Sequence, residues 1–173
     1  AEAANIRSYA ANERGEHRGR LLLATPHTQA RYVLPPVIAE LKRGYPQVSV
    51  DLFASGDAEV LEKLDEADFA LISTAGAHPS SSGVAIPLYR WRRVLLVPAS
   101  HPLALLPGPP SLVALSRHPL ISYESSKLPE SSLQRAFAAA GVEPQIAMTA
   151  RDANLIKTYV RAGLGAGLLA EMA

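Results

Sequence analysis

The chain has 173 residues, 48% hydrophobic and 19% charged, a globular composition sufficient for one ordinary domain or two small lobes. Lys and Arg number 17 against 16 Asp and Glu, and the formal net charge of +1 is too balanced for a chain whose main work is gripping a DNA backbone. The absence of cysteine excludes disulfides, thiolate chemistry and Cys-type metal sites, and no run of about 18 apolar residues is present to span a membrane.

In chain order, Glu2–Glu16 is rich in Ala, Glu, Asn and Arg and predicts a solvated helix or the tail of a longer one. It lacks the apolar core of a signal peptide, so nothing in it directs export. Arg20–Ala24 predicts a buried strand, and Thr28–Gly44 a helix with Val33, Val37, Ile38 and Leu41 on one face. Pro35-Pro36 fits only a first turn, which moves the start of regular helix toward Leu34. Val48–Phe53 predicts a strand, Asp57–Glu66 a short helix and Phe69–Ile72 a buried strand. Val84–Leu88 and Val94–Pro98 predict two more strands. His101–Pro110 is a proline-rich loop, followed by a helical turn at Ser111–Ser116. Leu120–Tyr123 predicts a strand, Ser131–Ala140 a helix ended by Gly141, and Gln145–Thr149 a strand. Asp152–Ala162 predicts a helix capped by Asp152 and stopped by Gly163, with a last apolar run at Ala166–Leu169. Strands alternating with helices imply an α/β fold with a largely parallel sheet. The composition changes around Tyr89-Arg90-Trp91-Arg92-Arg93, which suggests two lobes with a crossing near residue 90.

The segment His27-Thr28-Gln29-Ala30-Arg31-Tyr32 follows the first strand through a hydroxyl-bearing turn. With Thr28 as N-cap, a strand–turn–helix unit of this kind offers free backbone N–H groups to an anion. Thr25, Thr28, Ser73, Thr74, Ser122, Ser125 and Ser126 all fall at or after strand ends, where such a fold gathers its ligand contacts. Each alone also reads as a cap or turn residue. Of His17, His27, His78, His101 and His118, no pair has the i,i+4 spacing of a helical metal site. His101-Pro102 and His118-Pro119 read as turns. There is no G-x-S-x-G elbow, no Walker A loop and no G-x-G-x-x-G opening a helix, so no enzyme chemistry is indicated. Gly163-Leu164-Gly165-Ala166-Gly167 follows a helix and precedes a strand, the reverse of a dinucleotide loop. Asp65, Glu66 and Asp68 read as a solvated rim. Alternation puts Arg90 and Arg92 on one face and Trp91 with Arg93 on the other.

Several segments together resemble the effector-binding domain of LysR-type transcriptional regulators, of the CysB type. They are Leu23–Pro35, Ala67–Ala70, Pro87–Arg93, His101–Ala104 and, most strongly in the later half, Thr149–Arg161 running into Gly163–Gly167. The resemblance covers nearly the whole chain. His-Pro-Leu-Ala and the glycine-rich ending are common to many LysR-type proteins; His-Thr-Gln-Ala-Arg-Tyr and Ile-Lys-Thr-Tyr-Val are more specific to the CysB type. It implies two Rossmann-like lobes of the type 2 periplasmic-binding-protein kind, with an effector cleft between them. Residues 1–17 would be the end of a linker helix, 18–89 a partial first lobe and 90–173 the second.

It further implies control of sulfur assimilation or sulfonate use in the cytoplasm, without cofactor or metal. The partner is a small anionic effector: sulfate, thiosulfate, O-acetylserine or N-acetylserine. Self-association as a dimer or tetramer follows from the same resemblance, as does DNA contact only through a winged helix-turn-helix absent from this chain. Carried over residue by residue, the effector contacts become Thr25, Thr28, Gln29, Ser73 and Trp91, with Ser126 or Lys127 replacing a second-lobe contact. Two departures stand out. Pro26 replaces a Thr of the family's turn, and Leu128-Pro129-Glu130 stands where the family shows Thr-Gly-Arg. The alternative reading is the solute-binding protein of a transporter, which shares the two-lobe fold.

Overall fold

A computed structural model describes residues 17–73 and 84–173. The expected linker helix over 1–16, Thr74, His78 and the Ser80–Gly83 loop lie outside the described residues. The chain divides into two compact units, one ending at Ile72 and the other starting at Ser73.

In the first unit, β1 (Gly19–Pro26) is flanked by β2 (Val48–Ser55) and β3 (Phe69–Ala70), all parallel, in the order β2-β1-β3. β1 is the central strand because its second half is apolar and buried, with Ala24 and Thr25 fully enclosed. The predicted helix Thr28–Gly44 is in fact two: α1 (His27–Tyr32) and α2 (Leu34–Gly44), hinged at Val33 with φ −109° and ψ −47°. The prolines explain the break, since Pro35 and Pro36 lack the N–H groups that would continue α1 and are accommodated only in the first turn of a new helix. α3 (Asp57–Glu62) covers β1 and β2 through Val60, which is fully buried.

Two strand expectations fail. Phe69–Ile72 is not a buried strand: only Phe69–Ala70 pairs, with Leu23 and Ala24, and the Phe69 side chain is 65% exposed. Val84–Leu88 forms no strand at all, and Val84 is 90% exposed. Its alternating pattern finds no neighbouring strand among the described residues, and an extended segment without a ladder partner has nothing to fix it as sheet.

The second unit carries a four-stranded sheet, β4-β7-β5-β6, formed by β4 (Arg93–Leu96), β5 (Leu120–Tyr123), β6 (Ile146–Ala150) and β7 (Ala166–Ala170). β5 runs parallel to β6 and β7, while β4 runs antiparallel to β7 with Arg93 opposite Ala170. α4 (Leu112–Leu115) and α5 (Ser132–Ala139) share a core of Leu103, Leu115, Leu120, Leu133, Phe137, Ala166 and Leu168. Burying each Leu or Phe there contributes about 1.5–3 kcal/mol. α6 (Ala153–Arg161) packs on β7 and β5 through Ile156 and Val160.

Two glycines make the β7 end possible. A Cβ at Gly165, whose φ is +156°, would stand 2.4 Å from the Pro119 carbonyl oxygen. A Cβ at Gly167 would stand 2.8 Å from Val160 Cγ2, so its absence lets α6 lie close on the strand. The predicted caps hold: Ser131 Oγ accepts from Gln134 N, and Asp152 Oδ1 accepts from Asn154 N and Leu155 N. Gly141 and Gly163 take positive φ at the ends of α5 and α6.

Candidate functional site

In the first unit the candidate residues gather where β1 ends. β1 runs into α1 without a loop: Pro26, at φ −62° and ψ 149°, is the N-cap position and offers no side-chain cap. This corrects the expectation of Thr28 as N-cap. Thr28 sits inside the first turn of a helix that starts one residue earlier, because the extended conformation a cap needs falls on the proline. Burial is what marks the group. Thr25 is fully enclosed, Thr28 is 7% exposed and Gln29 is 5% exposed. Thr25 Oγ1 donates to the Pro26 carbonyl oxygen at 3.4 Å, and the Gln29 carbonyl accepts from Val33 N at 3.0 Å. Gln29 Oε1 is buried with no hydrogen-bond partner. A buried polar atom without a partner costs about 1–3 kcal/mol, and this one lies close in the chain to the buried Thr25 and Thr28. α1 is only six residues long. Its dipole therefore adds little, and the side chains, not the helix end, set the chemistry.

Asp65, Glu66 and Asp68 form the exposed rim read from the sequence, and two of them also hold structure. Glu66 pairs with Lys63 at 2.6 Å, and Asp68 Oδ2 accepts from Leu22 N at 2.8 Å.

In the second unit a ring of side chains stands at the carboxyl ends of β5, β6 and β7. β4 runs the other way, so its first residue, Arg93, joins that ring. The alternation read from sequence is realised here. Arg93 lies over the Trp91 ring, 5.9 Å from its centroid, while Arg92 is exposed and paired with Glu171. Arg92 N donates to Glu171 Oε1 at 2.9 Å and Arg92 Nε to Oε2 at 3.1 Å, and the backbone contact first, then the guanidinium, holds the Glu171 carboxyl below its ordinary pKa. Arg151 Nε donates to Glu124 Oε1 at 3.4 Å.

Ser126 is fully buried in the 3-10 turn Glu124–Lys127 that follows β5. Ser122 Oγ donates to the Leu168 carbonyl oxygen at 2.9 Å and lies 2.8 Å from Ser126 Oγ. A hydroxyl has one proton. Ser122 gives its own to Leu168, so the bond between the two serines runs from Ser126 to Ser122. Arg93 Nη1 donates to Ser126 Oγ at 3.2 Å, and the Ser126 carbonyl accepts from Ser131 Oγ and Gln134 Nε2. Trp91, Arg93 and Ser126 are thus one cluster. Lys127 is exposed, and Ser73 is half-buried in the loop after β3.

The sequence places Arg93 with Trp91 on one face of an extended segment but assigns it no contact. The signal that could have raised it was its place two residues after Trp91, on the same side of an extended segment. Gln134 carried no sequence signal, because its partner, the Ser126 carbonyl, belongs to a turn eight residues away.

His101 Nδ1 accepts from Leu103 N at 3.1 Å and its ring stands 5.0 Å from that of His118, so these histidines shape a turn, as expected. Among the described residues no group of three or more His, Cys, Asp or Glu could hold a metal ion, and no helix is long and apolar enough to cross a membrane.

Comparison with known proteins adds to this geometry. Residues 14–173 match the family described as LysR substrate binding domain. The chain is 38% identical over 169 residues to the HTH-type transcriptional regulator CysB of Burkholderia cenocepacia, covering 96% of this chain and 52% of that protein. It is 40% identical over 172 residues to the HTH-type transcriptional regulator cbl of Klebsiella aerogenes, covering 98% and 54%. The chain therefore spans about half the length of these relatives. The crystal structure of the cofactor-binding domain of the Cbl transcriptional regulator superposes with a TM-score of 0.80 at 38% identity, over 90% of this chain and 68% of that one. These relatives are regulators by name, and the comparison lends no support to the transporter alternative.

Proposed function

Because the chain belongs to the family of LysR substrate-binding domains, we propose that it is the effector-sensing part of a cytoplasmic transcriptional regulator of sulfur assimilation or sulfonate use. In this reading it binds a small anion and does no bond-making chemistry. Its candidate effector contacts in the first unit are Thr25, Thr28 and Gln29, which lie buried at the end of β1 and the start of α1. DNA contact falls to residues outside this chain, in keeping with a net charge of +1.

The single observation that carries the binding reading is the unpartnered, buried Gln29 Oε1. An open acceptor calls for a ligand that brings a donor. Sulfate and thiosulfate are acceptors only at neutral pH, whereas N-acetylserine and O-acetylserine each combine a carboxylate with an N–H or O–H donor. The acetylserines therefore fit Gln29 better. Pro26 points the same way, since it removes from the turn both a hydroxyl and a backbone N–H that a bare dianion would use.

Regulation follows as a population shift. The effector favours the arrangement of the dimer or tetramer to which it binds better, and the shift is limited by that difference in affinity. Titration calorimetry with sulfate, thiosulfate, O-acetylserine and N-acetylserine tests the proposal. Heat from at least one, strongest for an acetylserine, is expected; no heat from any of the four by the folded protein overturns it.

A further inference from the structure

The four strands of the second unit do not stay together along their length. β5 pairs with β7 only at Leu120 opposite Ala166 and Ile121 opposite Gly167, although β5 runs on to Tyr123 and β7 to Ala170. Each strand spends its carboxyl half on its other neighbour. β7 keeps its register with β4 out to Ala170 opposite Arg93, and β5 keeps its register with β6 out to Tyr123 opposite Ala150. The cause lies on the far side of β5. Where β5 and β7 part, Leu120 faces Ile146 and Ile121 faces Met148, so Ala147 is an extra residue in β6. Such a bulge bends its strand and sharpens the local twist, and β5 follows β6 away from β7.

Side chains tie the fork that results. Ala166 N donates to the Pro119 carbonyl oxygen, and every second residue of a strand repeats that direction, so the Leu168 carbonyl and the Ala170 N–H also turn toward β5. Two hydroxyls of β5 reach them. Ser122 Oγ donates to the Leu168 carbonyl oxygen at 2.9 Å, and Tyr123 Oη accepts from Ala170 N at 3.2 Å. Arg93 Nη1 crosses the same fork to Ser126 Oγ at 3.2 Å. One arm, β4 with β7, holds the segment next to Trp91 through Arg92 and Glu171. The other, β5 with β6, carries the turn Glu124–Lys127. Bonds made by side chains open by rotamer changes, without unzipping either pair of strands.

We propose that this fork is a two-state latch. The arms β4–β7 and β5–β6 part at their carboxyl ends when Ser122 and Tyr123 release β7, and the effector acts on the second unit by biasing that equilibrium. This rests on the effector-sensing reading above, since a ligand shifts only states that the protein already has. Ser122 and Tyr123 are then positioning residues that set the spacing of the two arms.

The chain has no cysteine and a single tryptophan, Trp91, which lets one label read the latch. Leu128→Cys, at an exposed position just after the turn, is labelled with a bimane fluorophore, and Trp91 on the other arm quenches it at short range. Adding Tyr123→Phe or Ser122→Ala is expected to raise bimane emission at least twofold, and Trp91→Phe should abolish the difference. Circular dichroism and thermal melts check folding, and Ser122→Ala carries the test if Tyr123→Phe does not fold. In hydrogen exchange, the Ala170 amide should speed up at least tenfold in Tyr123→Phe. The amides of β4 and β6 should stay within twofold, because each arm keeps its own ladder. Unchanged emission in both variants, or amides of all four strands accelerating together, overturns the latch. Whichever of sulfate, thiosulfate, O-acetylserine and N-acetylserine binds by calorimetry should change the emission of the labelled Leu128→Cys protein in proportion to the bound fraction. Binding without that change overturns the latch's part in sensing. A protein that binds none of the four overturns the effector reading beneath it, while the variants still decide the latch.

Discussion

Gln29 and Ser122 are both buried polar residues, and they differ in whether the fold satisfies them. Ser122 bridges β5 to β7 by donating to the Leu168 carbonyl while accepting from Ser126. Its replacement by alanine strands the Ser126 proton and removes a donor from Leu168. Ser122→Ala should therefore lower stability by about 1–3 kcal/mol in urea titrations, and a smaller effect would mean that the network relaxes around the gap. Gln29 is the opposite case, since its Oε1 has no partner. Gln29→Met keeps the length and removes the open acceptor. It should leave the effector-free protein as stable or more stable by about 1 kcal/mol, while binding of N-acetylserine falls by an order of magnitude or more. A variant that loses stability and keeps affinity would show that Gln29 serves the fold and not the ligand.

Among the elements, the short turn Pro102–Leu105 depends on one titratable group. His101 Nδ1 accepts the Leu103 N–H, which helps seat Leu103 in the core of the second unit, and the imidazole can do so only while Nδ1 is unprotonated. Burial, and then the neighbouring His118, hold His101 below its ordinary pKa. The unfolded chain thus takes up the proton first as the pH falls. The contribution is complete above about pH 6.5, the unfolded value, and declines below it until the folded form protonates too. His101→Asn retains an acceptor that does not titrate. Between about pH 7.5 and 5 the wild type should lose stability relative to this variant, measured as the shift in urea midpoint, and parallel curves would contradict the role given to His101. The cap of α6 gives a second expectation at this scale. Asp152 Oδ1 holds two first-turn N–H groups, so Asp152→Ala should cost about 1 kcal/mol and Asp152→Asn much less.

The two units of the molecule are unequal. Of the eighteen buried apolar side chains among the described residues, only Leu23, Ala24, Leu34 and Val60 belong to the first unit. α2 is amphipathic, yet it buries only Leu34 and leaves Val37 57% exposed. Local opening is cheapest where few apolar contacts resist it. Amides of β1 and β2 should therefore exchange with solvent faster than those of β5 and β7 in the absence of effector. Since Thr25, Thr28 and Gln29 lie in the weaker unit, a bound effector should slow exchange there more than in the second unit's sheet. At a hundredfold excess over Kd the linkage is worth about 2.7 kcal/mol. Uniform protection across both units, with and without effector, would show that the first unit is not the responsive one.

What the sequence determined by itself is local. Asp152 with Gly163, and Ser131 with Gly141, bound their helices because a cap and a stop act on groups within a few residues along the chain. The hexapeptide beginning at His27 likewise identified the strand end that carries the buried threonines and Gln29. What only the tertiary structure decided depends on partners far away in sequence. Phe69–Ile72 and Val84–Leu88 carry strand patterns, but a strand exists only where a neighbour offers its ladder, and just Phe69 and Ala70 have one. Whether Ser126 can donate to a ligand was beyond any reading of Ser126, because its proton is claimed through Ser122 by a carbonyl 46 residues further on. Arg93 follows the same logic: its charge is written in the sequence, but the Ser126 hydroxyl to which it donates belongs to a turn 33 residues away.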